Sequence, residues 1–381
     1  MAVAAAVGAL GALAFEPLRL FPLLLLSYAA LVLLLDGAAE TPRPLRAAAA
    51  VGWAYGFGIF AVGLYWIGYA FLVDPAEHLW QLPFAAIAMP GGLALFQVAA
   101  AMLCMVRWRP GVQRIFIFTT AFWLAEWLRG HILTGFPWNL PAYGWGASTA
   151  LLQSASVFGA YGLSLLTILL GASFAALASG AGSRAYRLPT ALALLFVGLW
   201  ITGEARLAAA GNATVPDVHL RVVQPDTPQT EKYVRDLVPR NWRRLVDLSI
   251  TPAAVAPTHI IWPEAAPPFP LTRQPEAMAE DAGLTADARV LLTGDVRIEQ
   301  NQGEQTRFYN SFDVFGDRGK LLATSDKYHL VPFGEYLPFE KTMRALGFSE
   351  IAANTGFSSG DGPKTFAVPG APPVEIGRAH V

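Results

Sequence analysis

Charge is scarce in these 381 residues: Asp, Glu, Lys and Arg together make up 14%, against roughly 25% in an average soluble protein. A soluble fold of this size cannot discard so much charge and keep a wetted surface, so a wholly soluble protein is excluded. Neither sign dominates, with a formal net charge of -1, which leaves no footprint for nucleic acid and no polybasic membrane tether. Cysteine is nearly absent, and the single Cys104 rules out an intrachain disulfide. Also missing are a spaced His/Cys/Asp/Glu set, a phosphate-cradling glycine loop and a G-x-S-x-G elbow, so neither metal nor cofactor is expected. The N-terminus lacks the basic n-region of a signal peptide and runs through Glu16-Pro17 into a second apolar stretch.

What the chain has in excess is hydrophobic sequence, 54% of all residues, with a mean hydropathy of +0.41. It is unevenly spread. Apolar runs cover 2–15, 18–35, 47–73, 82–106, 115–128, 149–178 and 188–203, and a bilayer crossing needs about 20 such residues. The expectation is a multi-pass α-helical membrane bundle of about seven helices over residues 1–204. Pro90-Gly91-Gly92 predicts a kink inside the fourth run. Arginines gather in alternate loops: Arg43 and Arg46, then Arg107, Arg109 and Arg114, then Arg184 and Arg187. The intervening loops hold Arg19 and Arg129 with the acids Asp74 and Glu77. Because Lys and Arg accumulate on the cytoplasmic side, the arginine-rich loops read as inside and everything after Glu204 as outside.

From residue 212 the pattern changes to charged, proline-punctuated stretches that read as a layered α/β domain. Strands are expected at 219–224, 259–262, 290–293, 308–315 and 321–324, with a helix over 231–250. The last two strands are joined through Gly316-Asp-Arg-Gly319 as a hairpin. Glu264 follows one strand, Lys327 follows another, and Glu335 comes eight residues later. Strand ends in α/β folds are where ligands bind, and a carboxylate with a lysine there makes a base and a charge stabiliser. From local pattern alone the same residues also fit solvated loop charges, the commoner case for an arbitrary Glu or Lys. In the membrane region, Glu126 and Arg129 stand three apart at a helix end, just before Thr134-Gly-Phe-Pro-Trp138. They either pair with each other or face a polar cavity. Asn212-Ala-Thr214 matches a glycosylation sequon, a three-residue pattern that by itself carries little weight.

Taken in order, E-W-L-R…T-G-F-P-W, V-Q-P…P-Q…K, W-P-E and F-Y-N-S…K-Y-H-L-V-P-F-G-E-Y-L-P resemble the apolipoprotein N-acyltransferases, membrane-embedded members of the nitrilase superfamily. The resemblance runs nearly the length of the chain. It implies an αββα sandwich for 212–374 and a Glu–Lys–Cys triad, with Glu264 as general base, Lys327 stabilising the oxyanion and Glu335 as auxiliary carboxylate. The implied reaction is ping-pong transfer of an acyl chain, through a cysteine thioester, from a phospholipid donor to the N-terminal amine of a diacylated apolipoprotein acceptor. The enzyme would act as a monomer at the bacterial inner membrane, with its catalytic domain on the outer side. Tyr233, Trp138, Tyr336, Glu126 and Arg129 are the accompanying candidates for lipid or substrate contact. Two departures stand out. Tyr233 occupies the position after Lys232 where the family carries a tryptophan, and no cysteine follows the late strand near Val374. The expectation is therefore a chain truncated before its nucleophile, incomplete as a sandwich and inactive as it stands, with 375–381 a possible non-native tail. The alternatives are a non-catalytic lipid- or lipoprotein-binding membrane protein and a membrane-anchored amidase or nitrilase.

Overall fold

The computed structural model describes the chain except residues 73–74, 180–181, 212, 301–305, 348–355 and 377–381. Asp74 of the expected outer loop, the asparagine of the sequon and the tail from 377 lie outside the described residues. Two compact units emerge, Met1–Gly211 and Asn212–Val381.

In the first unit, long helices stand where the apolar runs lie: α1 (Ala2–Ala12), α2 (Pro22–Ala39), α3 (Pro44–Gly63), α4 (Met89–Met105), α5 (Gln113–His131), α6 (Ala155–Ser173) and α7 (Arg187–Ala209). Five segments are long and apolar enough to cross a bilayer: Pro22–Ala39, Pro44–Gly63, Leu79–Met105, Ala155–Ala178 and Gly182–Ala209. With 11 residues, α1 reaches only about 16 Å, half of the roughly 30 Å hydrocarbon thickness. With 19 residues α5 has the length, but it carries Arg114, Glu126 and Arg129. Among the described residues the expected spans thus resolve into five segments long and apolar enough to cross, one short helix and one helix with charge inside it.

The expected kink lies earlier than Pro90-Gly91-Gly92. Pro90 sits in the first turn of α4, where its missing N–H costs nothing, and the irregularity is a π-helical turn at Phe84–Ala88. The third run also ends as a helix at Gly63, continuing as a 3-10 turn over Tyr65–Leu72. Only 22% of the apolar window in Gly182–Ala209 is buried, leaving Leu194, Val197 and Ile201 exposed. That surface is unsuited to water and suited to lipid. The short α1 is held by close backbone approach: a Cβ at Gly8 would fall 2.1 Å from the Tyr55 carbonyl oxygen, and one at Gly58 2.0 Å from that of Ala5.

The second unit is built on a five-stranded mixed sheet in the order β1-β2-β3-β4-β5. Its strands are β1 (Leu220–Val222), β2 (His259–Ile261), β3 (Val290–Glu299), β4 (Arg307–Gly316) and β5 (Lys320–Asp326). The first three run parallel and the last three antiparallel. The β4–β5 hairpin turns through Asp317 and Arg318, both at positive φ, as expected of Gly316-Asp-Arg-Gly319. Strand alternation sorts the faces. Ile260, Leu291 and Phe315 pack under α9 (Val238–Ile250) and α10 (Pro275–Leu284), against Trp242, Leu245 and Leu284. Val290, Leu292 and Val314 face the other way, against Phe366 and Val368. That segment belongs to a two-stranded sheet of β6 (Lys364–Phe366) and β7 (Val374–Ile376). The described residues therefore supply one helical layer and two sheets.

Three differences from the sequence reading have physical causes. The expected helix over 231–250 is split into α8 (Gln229–Lys232) and α9, because Pro239 belongs in a first helical turn and not in an interior. The strand at 290 runs on to Glu299, carried past Gly294 by unbroken antiparallel pairing with β4. The unanticipated α10 buries Ala277, Asp281 and Leu284 on one stripe, and the aspartate disguises its apolar period.

Candidate active site

Glu264 owes its position to a strand that ends without leaving the sheet. Past β2, the Trp262 N–H donates to the Leu292 carbonyl at 2.8 Å and the Ala266 N–H to the Gly294 carbonyl at 3.1 Å. Between these two bonds Pro263 interrupts the ladder and Ala265 turns at φ 46°, a left-handed conformation costing a non-glycine residue about 1 kcal/mol. The side chain of Glu264 is thrown out of the sheet at that turn. The facing strand must be bare, since a Cβ at Gly294 would lie 2.6 Å from both the Ala265 nitrogen and the Glu264 Cα.

Lys327 enters from the opposite side. Its N–H donates to the Asn310 carbonyl at 2.8 Å, extending the β4–β5 ladder by one residue and setting Lys327 beside Asn310. One residue earlier, Asp326 points to the other face and takes a two-pronged grip from Arg297, at 3.0 and 2.6 Å, plus the Ser311 hydroxyl at 2.6 Å. A bidentate guanidinium on a carboxylate fixes geometry as well as charge, so the strand end that carries Lys327 is anchored.

Glu335 sits in a tight turn that closes on its own side chain. The Val331 N–H donates to Glu335 Oε2 at 2.8 Å, while the Glu335 N–H donates to the Val331 carbonyl at 2.9 Å and the Phe357 N–H to the Glu335 carbonyl at 2.7 Å.

The three side chains meet. Lys327 Nζ lies 2.7 Å from Glu335 Oε1 and 3.2 Å from Glu264 Oε1. Asn310 Nδ2 donates to the same two oxygens, at 3.1 Å in the case of Glu335. Their environments differ: the Glu335 side chain is 8% exposed and that of Glu264 66%. Burial works to raise the Glu264 pKa, but the Asn310 hydrogen bond, Lys327 and the more distant Lys232 outweigh it and hold the carboxyl below the ordinary range. Chemically, this is an ionised carboxylate able to accept a proton, beside an ammonium held in place by a second, buried carboxylate.

Asn310 escaped the sequence reading as a site residue. The signal was its place in F-Y-N-S, an asparagine in the middle of a strand where that residue is disfavoured. Tyr233 is half-exposed, and burial raises its phenol pKa with added pressure from Asp295 and Glu264. Tyr336 is half-buried in the Glu335 turn, its carbonyl accepting from the Phe333 N–H at 2.7 Å.

The remaining candidates belong to the first unit and form their own cluster. Arg129 and Glu126 pair with each other, both buried, which settles the choice left open by their spacing. Gln97 Nε2 donates to Glu126 at 2.8 Å, and Arg129 Nη1 donates to the carbonyls of Phe136 and Trp138. The ion pair thus fastens the Gly-Phe-Pro-Trp loop, where Trp138 leans on Trp66 with centroids 5.4 Å apart. Cys104 is fully buried in α4.

A multi-pass helical region followed by a nitrilase-like α/β domain is the architecture of a membrane protein of the nitrilase-like class. A family model described as the apolipoprotein N-acyltransferase N-terminal domain matches residues 7–173. An apolipoprotein N-acyltransferase of Rhodopseudomonas palustris is 40% identical over 384 aligned positions, covering 98% of this chain and 72% of the relative. Proteins of the same name from Allorhizobium ampelinum and Brucella melitensis are 38% and 40% identical, with 97% and 95% of this chain covered and 71% and 70% of theirs. The chain belongs to the apolipoprotein N-acyltransferase family.

Proposed function

We propose that the Glu264–Lys327–Glu335 cluster is the acid–base centre for transfer of an acyl chain from a phospholipid to the α-amine of a diacylated apolipoprotein, through a cysteine thioester. The observation that carries this reading is one ammonium shared by two carboxylates that also share the Asn310 amide. In the first half-reaction Glu264 takes the thiol proton, and the thiolate attacks the ester carbonyl. Lys327 faces the developing oxyanion, where one well-aimed donor contributes on the order of 2.7–4 kcal/mol. Collapse expels the lysophospholipid alkoxide, which recovers the proton from Glu264. In the second half-reaction the acceptor amine attacks the thioester, gives its proton to Glu264 and releases the thiolate. Glu335 holds Lys327 in register.

Both substrates are lipid-anchored, which supports a catalytic domain tethered to a helical membrane unit. The arginine-rich loops support an inner-membrane protein with residues 212–381 on the outer side, and we propose that it works as a monomer. The thiol is not Cys104, the single cysteine of the sequence, which is fully buried in α4. This favours, for these 381 residues by themselves, binding without turnover.

The test joins residues 1–374 to whatever follows the matching position in the Rhodopseudomonas palustris relative and assays phospholipid-dependent acylation of a diacylated lipopeptide by mass spectrometry. E264Q and K327M in that chimera are each expected to lower the rate by about 100-fold or more. The 381-residue chain alone is expected to give neither an acyl adduct nor product. Retained activity in either variant, or a hydroxylamine-sensitive adduct on the chain alone, overturns the corresponding half of the proposal.

A further inference from the structure

Next to Glu264 lies a cavity of about 170 Å³ that the acid–base chemistry does not use. Pro263 and Ala266, the residues on either side of the Glu264 turn, form one wall. Gln224, Thr227, Gln229 and Lys232, from the chain that follows β1, line much of the opposite side, with Asn241 of α9. At roughly 30 Å³ per water molecule it holds about six waters, enough for a small polar group and too little for an acyl chain.

Lys232 is the unusual member. It is half-buried, and burial lowers its pKa, opposed only by Glu264 at longer range. Among the described residues its ammonium has no salt bridge or hydrogen bond; its recorded contact is with the face of the Tyr233 ring, 5.4 Å from the centroid. Cations taken partly out of water normally have a partner. The lysine is also preorganised. Asn241 of α9 donates to the carbonyls of Glu231 and Lys232 at 3.0 and 3.3 Å, and Arg240 of α9 bridges to Glu231 at 2.5 Å. The short α8 is therefore pinned at the end that carries Lys232. The acid on the lining is Asp226, exposed at a turn with φ 48°.

We propose that this cavity is a phosphate subsite for the headgroup of the lipid donor, with Lys232 as its cation. The inference rests on the acyl-transfer reading, because that reaction brings a phosphodiester to the neighbourhood of Glu264. Lys232 is then a specificity-determining residue for the donor and has no part in proton transfer.

The experiment uses the full 381-residue chain in a phosphate-free maltoside detergent and measures binding by titration calorimetry. The probes are dihexanoylphosphatidylglycerol, dihexanoylglycerol and inorganic phosphate. The short-chain phospholipid is expected to bind more tightly than either of the others. K232M should weaken it by about tenfold or more, as loss of a charge-assisted bond implies, without changing dihexanoylglycerol. K232R should retain most of the affinity, and D226N should tighten binding by removing a like charge. Hydrogen-exchange protection of β1 and β2 equal to wild type shows that K232M is folded. Unchanged phospholipid affinity in K232M overturns the proposal, and inorganic phosphate binding as tightly as the phospholipid overturns its lipid assignment. Loss of acylation in the E264Q chimera together with unchanged binding in K232M would remove the subsite and leave the acyl-transfer reading standing.

Discussion

Asp281 gives the sharpest test of how the second unit is held together. It lies on the inner stripe of α10, fully buried, and neither carboxyl oxygen has a hydrogen-bond partner among the described residues. Burial alone pushes its pKa from 3.8 up to about 7. A carboxyl whose pKa is higher folded than unfolded binds more protons in the folded state, so stability falls as pH rises between the two values. The contribution is fully present below about pH 4 and is lost by about pH 7 to 8. At 1.36 kcal/mol per pH unit, the interval corresponds to about 4 kcal/mol, an upper figure because the helix can loosen and admit water. Asp281→Asn keeps the volume and removes the charge. It is expected to stabilise the second unit at pH 8 by about 2–4 kcal/mol and to change little at pH 4.5. Hydrogen exchange of peptides from α10 and β3 in the full chain, corrected for the intrinsic pH dependence, reads the local opening free energy. Equal protection of wild type and variant at pH 8 would refute the reasoning, and so would a stabilisation that did not depend on pH.

Three further outcomes follow from packing and polar contacts. Gly294→Ala places a methyl 2.6 Å from the backbone at Glu264 and Ala265, so about 1–3 kcal/mol of local stability should be lost, visible as faster exchange at 262–266, along with chimera activity. Asn310→Leu removes the donor shared by Glu264 and Glu335; in the chimera the acylation rate should fall while the acid limb of its pH profile moves up, because the hydrogen bond no longer lowers the Glu264 pKa. A profile that keeps its midpoint would rule out this positioning role. In the first unit, Arg129→Met leaves Glu126 buried beside Gln97 without its cation, a loss of about 3–5 kcal/mol. The double variant E126Q/R129M should recover part of the detergent melting temperature, and a double variant no better than the single one would contradict the pairing.

How far the sequence could be read depends on which physical signal each element carries. Apolar runs announced the membrane helices because lipid demands unbroken hydrophobicity. The ends of those helices were less legible, since Pro90 reads as a kink or as a helix start according to what precedes it. In the second unit, Glu264 and Lys327 stood out by their places after strands and Glu335 by following eight residues later. The family resemblance singled them out from solvated loop charges, and no local rule brings together residues 63 and 8 positions apart. That convergence comes from the β4–β5 register and from the turn at Ala265. Asn310 and Asp281 were passed over for opposite reasons. A strand asparagine looks like a weak strand residue until its amide is seen between two carboxylates. A helix aspartate looks solvated until its stripe proves to face the core.

The two carboxylates on Lys327 are chemically alike and differently placed, and the difference divides their work in the proposed reaction. Glu335 is buried, closer to the ammonium, and fixed by a backbone N–H on its second oxygen. These contacts suit Glu335 to holding Lys327 in place. Glu264 is mostly exposed and farther from Lys327, so a proton there disturbs less. With both carboxylates ionised, the Glu264–Lys327–Glu335 group carries one net negative charge. Accepting a proton on Glu264 makes it neutral and frees Lys327 from one of its two anions just as negative charge develops on the substrate oxygen. Proton uptake and oxyanion stabilisation are then coupled through a single ammonium: the charge that Glu264 gives up is the charge Lys327 becomes free to meet.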